Sequence, residues 1–165
     1  MLCESFAPIA VPDARVLILG SMPGVMSLQK QQYYGHPRNH FWPIIFSIIN
    51  NPLPENYEER VQRLTDNKIA LWDVLRYCYR EGSLDSHIKN EVPNDFTDLL
   101  VKLPQLRLIC FNGNKAAQMW KKHVNCSIEG LDLILLPSTS PVPGKNIKTL
   151  QEKLAVWEII SNYLD

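Results

Sequence analysis

Four short apolar runs punctuate the chain, at residues 15–19, 68–72, 106–111 and 131–136. Each lacks helical periodicity and is bounded by polar residues, Gly or Pro. A run this short and this uniformly apolar predicts a strand covered on both faces, as in a parallel sheet. Between the runs, apolar residues recur at three- and four-residue spacing, the period of a helix with one buried face. Such segments lie at 39–50, at 57–64 with Tyr57, Val61 and Leu64 on one face, and at 114–123. Phe96, Leu99, Leu100 and Leu103 follow Asn94 and Asp95, either of which can cap a helix. A last stripe joins Leu150, Leu154, Trp157, Ile160 and Leu164. Strand and helix in alternation predict a three-layer α/β/α sandwich around a central, four-stranded, mainly parallel sheet with right-handed crossovers. No repeat, linker or low-complexity tract interrupts it, so residues 1–165 are expected to form one domain.

Composition narrows the class. The chain is 45% apolar and 21% charged, as in soluble globular proteins. No apolar run reaches the about 18 residues that span a bilayer, and the first residues lack the layout of a signal peptide. A cytoplasmic monomer without membrane attachment is expected. The four cysteines include no C-x-x-C pair. They are therefore expected to be reduced structural thiols, Cys110 within a buried strand, and no metal or cofactor is expected. A net charge of zero gives no general affinity for polyanions and leaves only a local basic face.

In an open parallel sheet, ligands bind beyond the carboxyl ends of the strands. The residues there are Gly20-Ser21-Met22-Pro23-Gly24, Asp73, Asn112-Gly113-Asn114 and Pro137-Ser138-Thr139-Ser140-Pro141. Singly, such turns are ordinary, because polar residues solvate and cap. Together they mark a working edge. The stretch after the first run reads Gln-Lys-Gln-Gln-Tyr-Tyr-Gly-His-Pro-Arg-Asn-His-Phe-Trp over residues 29–42. Flat rings of Tyr33 and Tyr34, interleaved with His36, Arg38 and His40, suit a ligand that needs both stacking and charge, which nucleic acid does. Tyrosines that merely close the core are the plain alternative.

These strings resemble the motifs of the uracil-DNA glycosylase superfamily. The Gly20–Gly24 turn with Tyr34-Gly35-His36-Pro37-Arg38-Asn39-His40-Phe41-Trp42 is most similar to the hypoxanthine-DNA (deoxyinosine) glycosylase branch and its mismatch-specific relatives. Ser138-Thr139-Ser140-Pro141 resembles that branch's second motif, Leu71-Trp72-Asp73 the second strand end, and the string from Phe111 to Ala116 the third-strand turn. Two departures separate the chain from the uracil and mismatch branches. Met22 stands where those carry a water-orienting Asp or Asn, and Ser138 where they carry a His. The resemblance implies that the water-holding role passes to Asn39.

The expected activity is monofunctional hydrolysis of the N-glycosidic bond of a deaminated base, hypoxanthine, in DNA. Asn39 is the expected catalytic residue, because a departing base leaves an oxocarbenium-like sugar and water then needs aiming more than a strong base. Capping the helix after it is the alternative use of Asn39. Tyr34 would stack on the flipped base, or pack in the core. Asn112 would donate to the leaving purine, or shape its turn. Gly20, Ser21 and Ser138 complete the base site. Asp73 would read an N–H of the base, or cap the next segment. Ser138, Thr139, Ser140 and Lys145 would meet the DNA backbone, with Val142 as a wedge in the stack. Lys148, Lys115, Lys121 and Lys122 are further candidate cations or solvated surface. No lysine lies in the motifs, so lyase chemistry is not expected. A uracil or mismatch glycosylase, a catalytically silent nucleic-acid-binding module, and a small-molecule enzyme with phosphate at the Gly20–Gly24 turn are the competing readings.

Overall fold

The computed structural model of the protein describes residues 1–126, 128–141 and 148–165. In chain order its strands are β1 (Leu2–Glu4), β2 (Val16–Gly20), β3 (Ile69–Asp73), β4 (Leu75–Tyr79), β5 (Lys89–Pro93), β6 (Leu108–Asn112) and β7 (Asp132–Leu136). The α-helices are α1 (Val25–Lys30), α2 (Phe41–Ile48), α3 (Tyr57–Asp66), α4 (Phe96–Val101), α5 (Asn114–Met119) and α6 (Leu150–Trp157). Strands β3-β2-β6-β7 form a four-stranded sheet in which every pairing is parallel. The four apolar runs are these strands, each beginning one or two residues later than the run.

Successive strand side chains point to opposite faces, so each strand feeds two cores. Leu17, Leu19, Ala70, Trp72, Ile109 and Phe111 pack on one face, with Phe96 and Trp120 from the α4 and α5 region. Val16, Ile18, Ile69, Leu71, Leu108 and Cys110 pack on the other, with Phe41, Leu64 and Trp157 from α2, α3 and α6. Phe41 and Trp157 are wholly buried, and truncating either to Ala costs about 3–5 kcal/mol. The fourth run departs from the two-sided pattern. β7 is an edge strand, and Leu133 and Leu135 are exposed.

A second sheet, β1-β4-β5, is antiparallel and has no counterpart in the apolar pattern. Its strands are short and largely exposed; in β4 only Leu75 and Cys78 are buried. α1 is six residues long, too short to display a period. The helix ends follow their sequence signals more closely. Asp95, not Asn94, caps α4 by accepting from Thr97 N–H at 3.0 Å. Thr149 and Glu152 form a reciprocal capping box on α6. Two helices end in altered windings: α5 runs into a π-helical turn at Trp120–Val124, and α6 into a 3-10 segment at Glu158–Tyr163.

Candidate active site at the carboxyl edge of the parallel sheet

Parallel register brings the strand ends level. Gly20 pairs with Asp73 across β2–β3, and Asn112 with Leu136 across β6–β7. At the β2–β3 end the backbone is crowded by polar atoms. A Cβ on Gly20 would lie 2.6 Å from Asp73 Oδ1 and 3.2 Å from the Tyr34 hydroxyl, so glycine is required for the carboxylate to sit there. Asp73 is 4% exposed, and its Oδ2 has no hydrogen-bond partner among the described residues. Burial pushes its carboxyl up to about 7; the Arg80 guanidinium opposes the rise and Asp85 adds to it. At neutral pH the group is thus poised between acceptor and donor.

Tyr34 turns its hydroxyl into this corner. Its backbone is left-handed, φ 53°, and its ring stacks on Phe41 at 4.0 Å between centroids and 20° between planes. The hydroxyl is buried without a partner among the described residues. Burial and the nearby Asp73 charge hold its proton far above the ordinary phenol range, against the Asn112 amide beside it. Tyr33 plays a different part. It is 4% exposed, donates to Ala7 C=O at 2.8 Å and meets Phe6 edge-on. With Phe6, Ile9, Tyr57 and Val61 it lines a groove of about 730 Å³ that Tyr34 does not border.

Asn39 heads α2. Its Oδ1 accepts from Phe41 N–H at 2.9 Å, and the residue is half-buried. Asn39 thus holds the first helical N–H from just before the N-cap position, which His40 occupies without a side-chain capping bond of its own. The bond to Phe41 leaves one lone pair on Oδ1 and the whole NH₂ for other partners, while fixing the direction of the amide. His40, next to it, donates its backbone N–H to Thr139 C=O at 3.0 Å, which holds α2 against the loop after β7.

At the β6–β7 end the polar groups satisfy one another. Asn112 Oδ1 accepts from Thr139 N–H at 2.9 Å, and its Nδ2 donates to Thr139 Oγ1 at 3.0 Å. Thr139 is 1% exposed, so it acts as the link between strand and loop. Ser138 is exposed, and its Oγ accepts from Ser140 N–H at 3.1 Å. Gly113, at φ +95°, could not carry a side chain without crowding Ser138 Cβ, 3.1 Å from the ideal Cβ position.

A model of the uracil DNA glycosylase superfamily matches residues 8–161. The chain belongs to that superfamily. It is 39% identical to a protein of Methanosarcina barkeri (strain Fusaro / DSM 804) named hypoxanthine DNA glycosylase, over 93% of this chain and 94% of the relative. It is 38% identical to the protein of the same name from Methanosarcina acetivorans, over 97% and 98%. The solution NMR structure of a Methanosarcina acetivorans protein that carries the description uracil DNA glycosylase superposes with a TM-score of 0.84. That likeness is at 37% identity and covers 99% of both chains.

Within this superfamily fold, Met22 sits in the core and is 7% exposed, so the position after Ser21 presents no polar group to a ligand. Ser21 itself donates to Asp85 Oδ1 at 2.7 Å. Asp85 and Arg80 escaped the sequence reading, and Asn94 entered it only as a candidate cap. Arg80 is 2% exposed, donates to Pro23 C=O and faces the Asp73 charge. Asn94 donates to Asp73 C=O at 2.8 Å and Leu75 C=O at 3.2 Å. All three lie in or beside the unforeseen second sheet, and nothing in their local sequence announces a role. Of the candidate cations, Lys122 is paired with Glu91 at 2.6 Å. Val142 and Lys145 lie outside the described residues.

Proposed function

We propose that this chain is a monofunctional hypoxanthine DNA glycosylase, hydrolysing the N-glycosidic bond of deoxyinosine to leave an abasic site. The observation that carries the reading is near-full-length likeness to two proteins of that name. Met22 and Ser138, standing where uracil enzymes use Asp or Asn and His, favour it over the uracil reading.

The target base must leave the duplex to be reached. Tyr34, backed by Phe41, offers it a stacking face. Hypoxanthine carries an N–H beside a carbonyl on its Watson–Crick edge, and a carboxyl near its own titration point can accept from the one and donate to the other. As the glycosidic bond lengthens, negative charge grows on the purine and positive charge on the sugar. Preorganised donors at the strand edge stabilise the first. Asn39, its Oδ1 already fixed by Phe41 N–H, aims a water at the second. Beyond the Thr139 bond, the second Nδ2 hydrogen of Asn112 lies on the side of the Tyr34 hydroxyl, where the base would compete for it. Ser138 and Ser140 would meet the DNA backbone, with Val142 and Lys145 beyond them.

The test is a panel of duplexes with one deoxyinosine, deoxyuridine or deoxyxanthosine each. Deoxyinosine should be cut fastest, with strand scission only after alkali. Preferred cutting of deoxyuridine would move the chain to the uracil branch. Binding to the lesion without abasic product would make it a silent binding module.

A further inference from the structure

Lys153, on α6, is 5% exposed, and its ammonium lies 3.1 Å from His40 Nδ1. No carboxylate lies within ion-pair distance of it among the described residues, and the undescribed positions contain neither Asp nor Glu. Its neighbour Glu152 is turned back to accept from Thr149 N–H at 3.0 Å. A covered cation without a counter-ion is unfavourable unless an anion completes it. An ammonium can only donate, so Nδ1 must be the acceptor, and His40 is a neutral imidazole with its proton on Nε2. The pair therefore presents one positive charge and one neutral N–H donor through a half-exposed ring. It stands between Asn39 and Thr139, since His40 N–H binds Thr139 C=O at 3.0 Å. Trp157, also on α6, donates to Pro137 C=O at 2.9 Å, which fixes the helix to the same loop.

We propose that Lys153 and His40 form a clamp for one DNA backbone phosphate beside the extruded nucleotide. This rests on the glycosylase reading. His40 donates from Nε2 to a phosphate oxygen. Lys153, acting through the ring and by its charge, is a positioning residue that keeps His40 in the donating tautomer. The motif histidine thereby couples phosphate capture to the head of the helix that carries Asn39.

The experiment uses a duplex with a non-cleavable 2′-fluoro deoxyinosine analogue and the full-length protein. Binding is measured across salt for wild type, Lys153→Met and His40→Ala. A neutral methylphosphonate is also walked through the linkages flanking the lesion. For wild type, one methylphosphonate position should weaken binding about tenfold and flatten the salt dependence by about one phosphate's worth, a slope change of roughly 0.9. Lys153→Met should do the same on ordinary DNA and should lose nothing more at that position. Additive losses, or a wild-type slope in both variants, would overturn the clamp. The methylphosphonate walk needs no variant, so a misfolded Lys153→Met leaves the question decidable, and His40→Ala, at a half-exposed position, gives a second reading. Wild-type cleavage of ordinary deoxyinosine is the separate control. Its absence sinks the glycosylase reading, whereas its presence with no sensitive linkage sinks only the clamp.

Discussion

At one end of the strand edge Asn112 gives both ends of its amide to Thr139, whereas at the other Asp73 Oδ2 and the Tyr34 hydroxyl are buried with no partner among the described residues. The two corners belong to the same sheet and face the same way, yet one is closed and the other open. A buried polar group without a partner costs about 1–3 kcal/mol, so folding alone would not favour two side by side. The closed corner holds a loop on a strand. The open one holds hydrogen-bonding capacity in reserve, as a site must if a ligand is to complete it. The difference teaches which half of a uniformly polar edge to read as scaffold and which as chemistry.

Asp73→Asn should break the contrast most strongly. The folded carboxyl titrates at about 7 against 3.8 for the ordinary group. Between these values the unfolded chain has lost the proton and the folded one keeps it, so wild-type stability falls as pH rises from about 4 to 7. The full difference is about 4 kcal/mol, at about 1.4 kcal/mol per unit. Denaturant titrations from pH 4 to 8 should show this slope in wild type and its absence in the variant; parallel slopes would mean that Asp73 is not held protonated.

Asn39→Ala comes next. It should lower single-turnover cleavage of deoxyinosine by about 100-fold or more, or about 3 kcal/mol. The lost cap accounts for only about 1 kcal/mol of stability. Equal losses in rate and stability would reduce Asn39 to a cap. Asn112→Ala probes the closed corner, where it removes the tie to Thr139 as well as a donor to the base, so a larger share of its effect should appear in stability. It should cost about 2 kcal/mol of stability and free the Thr139 amide to exchange with solvent. Gly20→Ala is the mildest. Its Cβ must displace the Asp73 carboxylate, and kcat/KM should fall about tenfold, near 1.4 kcal/mol, with melting little changed.

Much of this is legible in the sequence alone. The four runs marked the four parallel strands, because a strand covered on both faces leaves no polar position to disguise it. The second sheet was not legible. β4 and β5 show no clean alternation, and β1 has three residues. Tyr33 and Tyr34 are adjacent and chemically alike, and sequence offered both as stacking faces. Only the left-handed turn at Tyr34 sends one ring to the site and the other to the groove by Phe6. Nothing in the sequence singles out Lys153 on its amphipathic helix, since its partner His40 is 113 positions away.

The sequence by itself determined the parallel sheet, the edge where ligands meet it, and the superfamily whose motifs line that edge. Those depend on local composition and short spacings, which a chain displays at every length. Only the tertiary structure decided which polar groups at the edge are satisfied and which are left open, and which lysine stands behind His40. Hydrogen bonding and burial are properties of atoms brought together across the chain, and no single stretch of residues carries them.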